Sequence, residues 1–292
     1  MKSLPPLIFW AGCAWKRDLL ERAEAVKPEG FASMSLFMMD LAAWEQREGT
    51  LAGFRSELDA REAPVICIEP YLSWYPGFDP RAVTGERAQF VQAVEADVFR
   101  FADATEASFV SLVAPYDDDV VPFDAVVEAL GAFADRAATA GLQLQLEPVP
   151  TSKVPDLPTA FRLVTAVARP NVGLLLDTYN LGRGGIDPED LHAVAHELVF
   201  ALQLGDGTAR PLNDDYRVDS LHNRRLPGEG ELPLAAIFEQ VMRKGPLPPL
   251  GPEVINDDLA ALPASLAARR CADAIRSFLT DQVDPPTGGL TV

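Results

Sequence analysis

Four oxygen-bearing side chains stand at or near the ends of four short apolar runs. Glu147 closes Leu142-Gln-Leu-Gln-Leu-Glu147, and Asp177 closes Val172-Gly-Leu-Leu-Leu-Asp177. Gln203 closes Phe200-Ala-Leu-Gln203, and Glu253 sits in Gly251-Pro-Glu253-Val-Ile. Successive members are 30, 26 and 50 residues apart, one strand-plus-helix unit each, with the last unit lengthened by an insertion. Any one of these residues alone reads as a helix cap or a loop ion pair. In register at one rim of neighbouring strands, all four point at one spot. Carboxylates gathered there without compensation would repel and would be costly to desolvate. One divalent metal ion resolves that cost. The donors are all oxygen, which favours hard ions, Mn²⁺ or Mg²⁺, over zinc.

Other candidates carry weaker signals. Asp206, just beyond Gln203, is placed to hold a substrate hydroxyl or to orient the metal ligands. Gly182-Arg183-Gly-Gly185 offers backbone N–H groups and a guanidinium to an anion, but reads first as a turn. His192 and His196 are four apart, yet Ala193 stands where a metalloprotease pattern needs Glu, so both read as helix-surface histidines. The acidic run 117–119 reads as a solvated loop.

The elements that must position these groups follow from the apolar pattern. Strand-length apolar runs occupy residues 7–15, 31–39, 64–71, 108–115, 142–150, 172–180, 199–207 and 252–256. Nearly continuous apolar composition suits strands buried on both faces, as in a parallel sheet. Helical spacing predicts helices over 87–105, 123–140, 157–168, 188–198, 234–244 and 258–279. Eight strands alternating with helices predict an α/β fold, a single-domain (β/α)₈ TIM barrel over residues 1–283, with a Pro- and Gly-rich tail at 284–292. Two insertions follow strand C-termini, where barrel active sites form. Residues 72–85 carry Trp74, Tyr75 and Phe78 and suit either a lid or a packed loop; residues 208–232 form the second.

Bulk properties narrow the function. The chain has 292 residues, 48% of them hydrophobic, and a formal charge of −18 at pH 7. That charge argues against nucleic acid and membrane surfaces as partners, leaving a small-molecule substrate. No apolar run reaches the ~18 residues of a membrane span. Residues 4–13 read as a first strand, not a leader, because the run is short and holds two prolines and Trp10. Three cysteines without a CxxC spacing fit the cytoplasm. A homo-oligomer is compatible with all of this.

Between residues 141 and 255 the chain resembles the xylose isomerase-like TIM-barrel superfamily of sugar phosphate isomerases and epimerases. The matching stretches are LQLEPVP, NVGLLLDTYN, FALQLGDG, HNRRLPGEGEL and GPEVI. The resemblance implies that Glu147, Asp177, Gln203 and Glu253 bind one divalent metal and that Glu147 and Glu253 act as acid and base. It makes Arg224 a substrate-binding arginine, with His222 a weaker candidate. Two departures stand out. Gln203 replaces the usual histidine, a form similar to a subgroup that includes 3-dehydroshikimate dehydratases. Asn180 replaces the histidine of the family's Asp-x-x-His; it can donate a hydrogen bond to substrate but carries no proton or charge. The resemblance implies an isomerase or epimerase of a small polyhydroxylated ketone, acting through proton abstraction beside a carbonyl and an enediolate. The alternative is a lyase that dehydrates a 3-dehydroshikimate-like keto acid or eliminates from a 3-keto-glycoside. Phosphodiester cleavage, which shares the barrel, needs a histidine-rich multi-metal site that three histidines do not supply.

Overall fold

The computed structural model describes residues 5–47, 49–85, 88–117 and 119–283. Eight strands pair in parallel in chain order: β1 Ile8–Phe9, β2 Ser33–Phe37, β3 Val65–Tyr71, β4 Phe109–Leu112, β5 Gln143–Leu146, β6 Val172–Asp177, β7 Val199–Leu204 and β8 Leu250–Pro252. A parallel bridge between Leu7 and Leu250 brings β8 back to β1, so the sheet curls into a TIM barrel with helices between its strands. The approach is tight at this seam. A Cβ on Gly251 would lie 1.9 Å from the Ile8 carbonyl oxygen, which only glycine avoids.

The strand sequences alternate in a way that splits the core. Leu144, Leu146, Leu174, Leu176, Leu202 and Leu204 are fully buried and belong to the apolar layer that packs with the helices. The odd-numbered positions between them face into the barrel. There Gln145 Nε2 donates to Ser111 Oγ at 2.8 Å and approaches Cys67 Sγ at 3.3 Å. One step further, at the strand ends or just past them, the odd positions are Glu69, Glu147, Asp177, Gln203 and Glu253. The period-two side-chain direction of a strand therefore carries these groups to the C-terminal rim.

Several elements differ from the sequence expectations. Only Ile8–Phe9 of the first run is strand; Ala11–Ala14 forms a 3₁₀ turn. The eighth strand ends at Pro252, so Glu253 follows it. The helix expected over 87–105 becomes Ala88–Val91 and Glu95–Thr105, because Asp97 accepts from the Val94 N–H at 3.2 Å and caps the second piece. The stretch 188–198 is two 3₁₀ turns, Pro188–Ala193 and His196–Leu198, with Lys244 Nζ holding the Val194 carbonyl between them at 2.7 Å. The stretch 258–279 divides into Asp257–Ala260 and Ala264–Val283 at Pro263, which has no N–H to continue a helix. In the insertion after β3, Trp74 and Tyr75 are buried, and Trp74 Nε1 donates to the Val113 carbonyl at 3.0 Å. That half of the insertion is packed structure. Among the described residues no helix is long and apolar enough to cross a membrane. The expected tail, 284–292, together with Arg87 and Asp118, lies outside the described residues.

Candidate active site

Asp177 is the last residue of β6 and caps the helix Thr178–Arg183. Its Oδ1 accepts from the Tyr179 N–H at 2.8 Å and the Asn180 N–H at 3.3 Å. Its Oδ2 receives Arg224 Nη1 at 2.6 Å. Gln203 is Asp177's partner across the β6–β7 register and is 2% exposed. Glu147 follows β5, and its Oε1 accepts from Asn180 Nδ2 at 2.6 Å. The Tyr216 hydroxyl donates to Asn180 Oδ1, so a relay runs Tyr216–Asn180–Glu147. Glu253 reaches back over the 3₁₀ turn after β1. A Cβ on Gly12 would meet Glu253 Oε1 at 2.3 Å, so the missing side chain makes the room.

Electrostatics follow from burial. Burial drives the Glu147 carboxyl well above its usual range, and Asp177 pushes it further. Burial does the same to Glu253, with Glu69 and Asp177 adding to it. Burial alone would make the Arg224 guanidinium easier to discharge, but Asp177 and Glu253 outweigh it and keep the charge. Arg224 is 5% exposed; its Nε donates to the Ser220 carbonyl at 3.0 Å. It is thus anchored to Asp177 while lining the cavity.

Two buried oxygens in this cluster have no partner: Gln203 Oε1 and Glu253 Oε2. A buried acceptor without a donor is costly, and a cation satisfies it. That fits the donor set Glu147, Asp177, Gln203 and Glu253 for a divalent ion. The fit requires a local change. Among the described residues no three Asp, Glu, His or Cys side chains are drawn together as a shared ion would draw them, and Arg224 occupies one oxygen of Asp177.

The structure places the remaining candidates as follows. His222 lines the cavity at its rim, with Nδ1 3.0 Å from Asp257 Oδ2. Asp206 does not line the cavity. Its carboxylate accepts from the Gly207, Gly230 and Leu232 N–H groups at 2.8, 3.0 and 3.1 Å, so of its two expected roles the bonds shown are structural ones. Arg183 pairs with buried Asp219 at 3.2 Å and bonds the Thr208 carbonyl at 2.7 Å, so it offers no free anion site. His192 and His196 lie away from the cavity; their two 3₁₀ turns replace the single helix expected there. Asp117 and Asp119 are exposed, as expected of a solvated loop, but they stand at the cavity mouth.

Glu69 is the group that the sequence did not single out. It is 5% exposed, lines the same cavity and is hydrogen-bonded by Ser35 Oγ, which itself accepts from the Ala11 N–H at 2.8 Å. Burial pushes its carboxyl up to about 8, with Glu147 and Asp177 adding and Ser35 and Arg224 opposing. The signal was present: Glu69 ends an apolar run just as Glu147 does, but Pro70 and Tyr71 extend that run and hide its end. The cavity that these groups share has a volume of about 480 Å³.

Comparison with known proteins agrees with this fold. A family model described as Xylose isomerase-like TIM barrel matches residues 23–278. A 3-dehydroshikimate dehydratase of Pseudomonas aeruginosa is 26% identical over 267 residues, covering 89% of this chain and 39% of that protein. The chain thus spans about two-fifths of that relative's length. Among solved structures, a xylose isomerase-like TIM barrel/4-hydroxyphenylpyruvate dioxygenase fusion protein superposes with a TM-score of 0.80 at 19% identity, over 96% of this chain and 43% of that one. The IolI protein, with a binding zinc atom, superposes with a TM-score of 0.79 at 16% identity, over 95% of this chain and 99% of that one.

Proposed function

The chain belongs to the xylose isomerase-like TIM barrel family, and from that premise we propose that it is a metal-dependent isomerase or epimerase of a small polyhydroxylated ketone. The observation that carries this reading is the pair of buried glutamates, Glu147 and Glu253, beside two partnerless oxygens, Gln203 Oε1 and Glu253 Oε2. A divalent ion, Mn²⁺ or Mg²⁺, held by Glu147, Asp177, Gln203 and Glu253 would polarise a substrate carbonyl and lower the energy of the enediolate.

The chain's own residues supply the rest. Asn180 fixes Glu147 through a 2.6 Å hydrogen bond, which presents the other carboxylate oxygen to a substrate C–H. Glu253, carried on the far side of β6 and β7 from Glu147, returns a proton. Delivery to the opposite face gives epimerisation; delivery to the adjacent carbon gives isomerisation.

A second reading is a lyase that dehydrates a 3-dehydroshikimate-like keto acid. The Pseudomonas aeruginosa relative and the glutamine at position 203 favour it. Solvent-deuterium exchange followed by NMR separates the two, on a panel of ketoses and 3-dehydroshikimate with Mn²⁺ or Mg²⁺. Exchange without loss of water supports the first reading, and loss of water from the keto acid selects the second. Glu147→Gln should slow either reaction by about 10²–10⁴-fold. Metal-independent turnover, unchanged in Glu147→Gln, would sink both. The three cysteines are free thiols, which supports a cytoplasmic setting.

A further inference from the structure

The cavity extends well beyond the oxygen cluster, and its two sides differ in chemistry. Glu147, Asp177, Gln203 and Glu253 sit toward β5–β8, and Glu69 comes from β3. The side toward β1–β3 is aromatic: Trp15, Phe37, Phe78 and Phe90 all line it. Phe90 packs edge-on against Phe37 at 5.4 Å and tilted against Trp15 at 6.0 Å, forming one continuous apolar wall. A lone sugar seated on the oxygen cluster would leave that wall facing water. About 480 Å³ falls within the ~300–1,000 Å³ of pockets that enclose drug-sized ligands.

The charges point the same way. Glu69, Glu147, Asp177 and Glu253 lie inside, and Asp79, Asp117 and Asp119 stand at the mouth. Among the described lining residues the basic groups are Arg224 and His222, and both are engaged, with Asp177 and Asp257. Lys153 and Arg81, outside the lining, are paired with Asp117 and Asp79. Among the described lining residues no cation is without an acidic partner, and the aspartates at the mouth stand against an approaching anion.

We propose that the substrate is uncharged and bifunctional. Its polyhydroxylated carbonyl end sits on Glu147, Asn180, Gln203 and Glu253, and an aromatic or aliphatic substituent lies against Phe90 and its neighbours. This rests on the reading that the oxygen cluster is the reacting centre, and it separates that reading from one with a keto-acid substrate.

Calorimetric binding to the Mn²⁺-loaded protein tests the proposal without requiring turnover. The probes are phenyl β-glucoside, methyl β-glucoside and phenyl β-glucuronide. The phenyl glucoside should bind about tenfold or more tightly than either of the others. Phe90→Ala, at a half-buried position, should erase the phenyl advantage while leaving methyl glucoside binding unchanged in the folded protein. Equal binding of the two glucosides, preference for the glucuronide, or no binding of any probe at millimolar concentration would overturn it. The two failures are distinguishable. Carbonyl substrates that exchange deuterium while the probe preference is missing defeat this inference alone. The preference without any exchange defeats the enolisation reading alone.

Discussion

Asn180 is the residue on which the site's character turns. Where the family's usual histidine would accept or donate a proton, an amide can only hold, and here it holds Glu147 at 2.6 Å while accepting from Tyr216. A hydrogen bond to a charged group is worth about 1.5–3 kcal/mol, so Asn180→Ala should slow deuterium exchange by roughly 10- to 100-fold. The drop should fall on kcat, because the substrate's other contacts remain. Glu147, Asp177, Gln203 and Glu253 were legible as one constellation because strand periodicity fixes where a strand-end side chain points. Glu69 obeys the same periodicity and was not singled out. The pairing of Arg224 with Asp177 was not legible either, since no spacing says that the guanidinium will settle there. Arg224→Lys loses the planar fork that reaches both Ser220 and Asp177. It should raise KM more than tenfold in steady-state assays.

At the scale of elements, the insertion after β7 is held by two buried acids as well as by Leu226 in the apolar core. Asp206 gathers three backbone N–H groups, and Asp219 gathers the Leu212 and Asn213 N–H groups, the Tyr179 hydroxyl and Arg183. This loop carries His222 and Arg224 to the site. Asp206→Ala strips the acceptor from several inward-facing donors and should cost about 2–4 kcal/mol of unfolding free energy, measured by urea titration. Asp206→Asn should recover part of that. The sequence predicted eight strands with helices between, because apolar runs and amphipathic spacing are local signals. It missed where helices break. Those breaks come from capping by Asp97, from Pro263, and from Lys244 reaching across to residue 194, and the last of these is a tertiary contact that no local pattern reveals.

The whole molecule carries −18 and places four carboxyls in one cavity, so its stability should answer to pH in an unusual direction. Glu69 is raised by burial to about 8 in the folded chain, whereas the unfolded chain ionises it near 4.5. Between those values the folded state keeps a proton that the unfolded state has lost. Stability without metal therefore falls as pH rises through this window and levels off above it. From about pH 6 to about pH 8 the Glu69 share is at most about 3 kcal/mol, and Glu147 and Glu253 act in the same sense. Calorimetry should show a higher Tm at pH 6 than at pH 8. Saturating Mn²⁺ should flatten or reverse that slope, because an ion binds the deprotonated carboxylates. Glu69→Gln should reduce the slope without metal.

The barrel's seam has a consequence for how this molecule loses function. Its last stave is joined to its first through β1 and β8, two and three residues long, and, among the described residues, one bridge at Leu7 and Leu250. Glu253 hangs directly beyond that join, over Gly12. The ring should therefore unbuckle there before it collapses. At sub-denaturing urea, amides at the seam should exchange hydrogen first, and activity should fade while the far staves, β4 to β6, still stand protected.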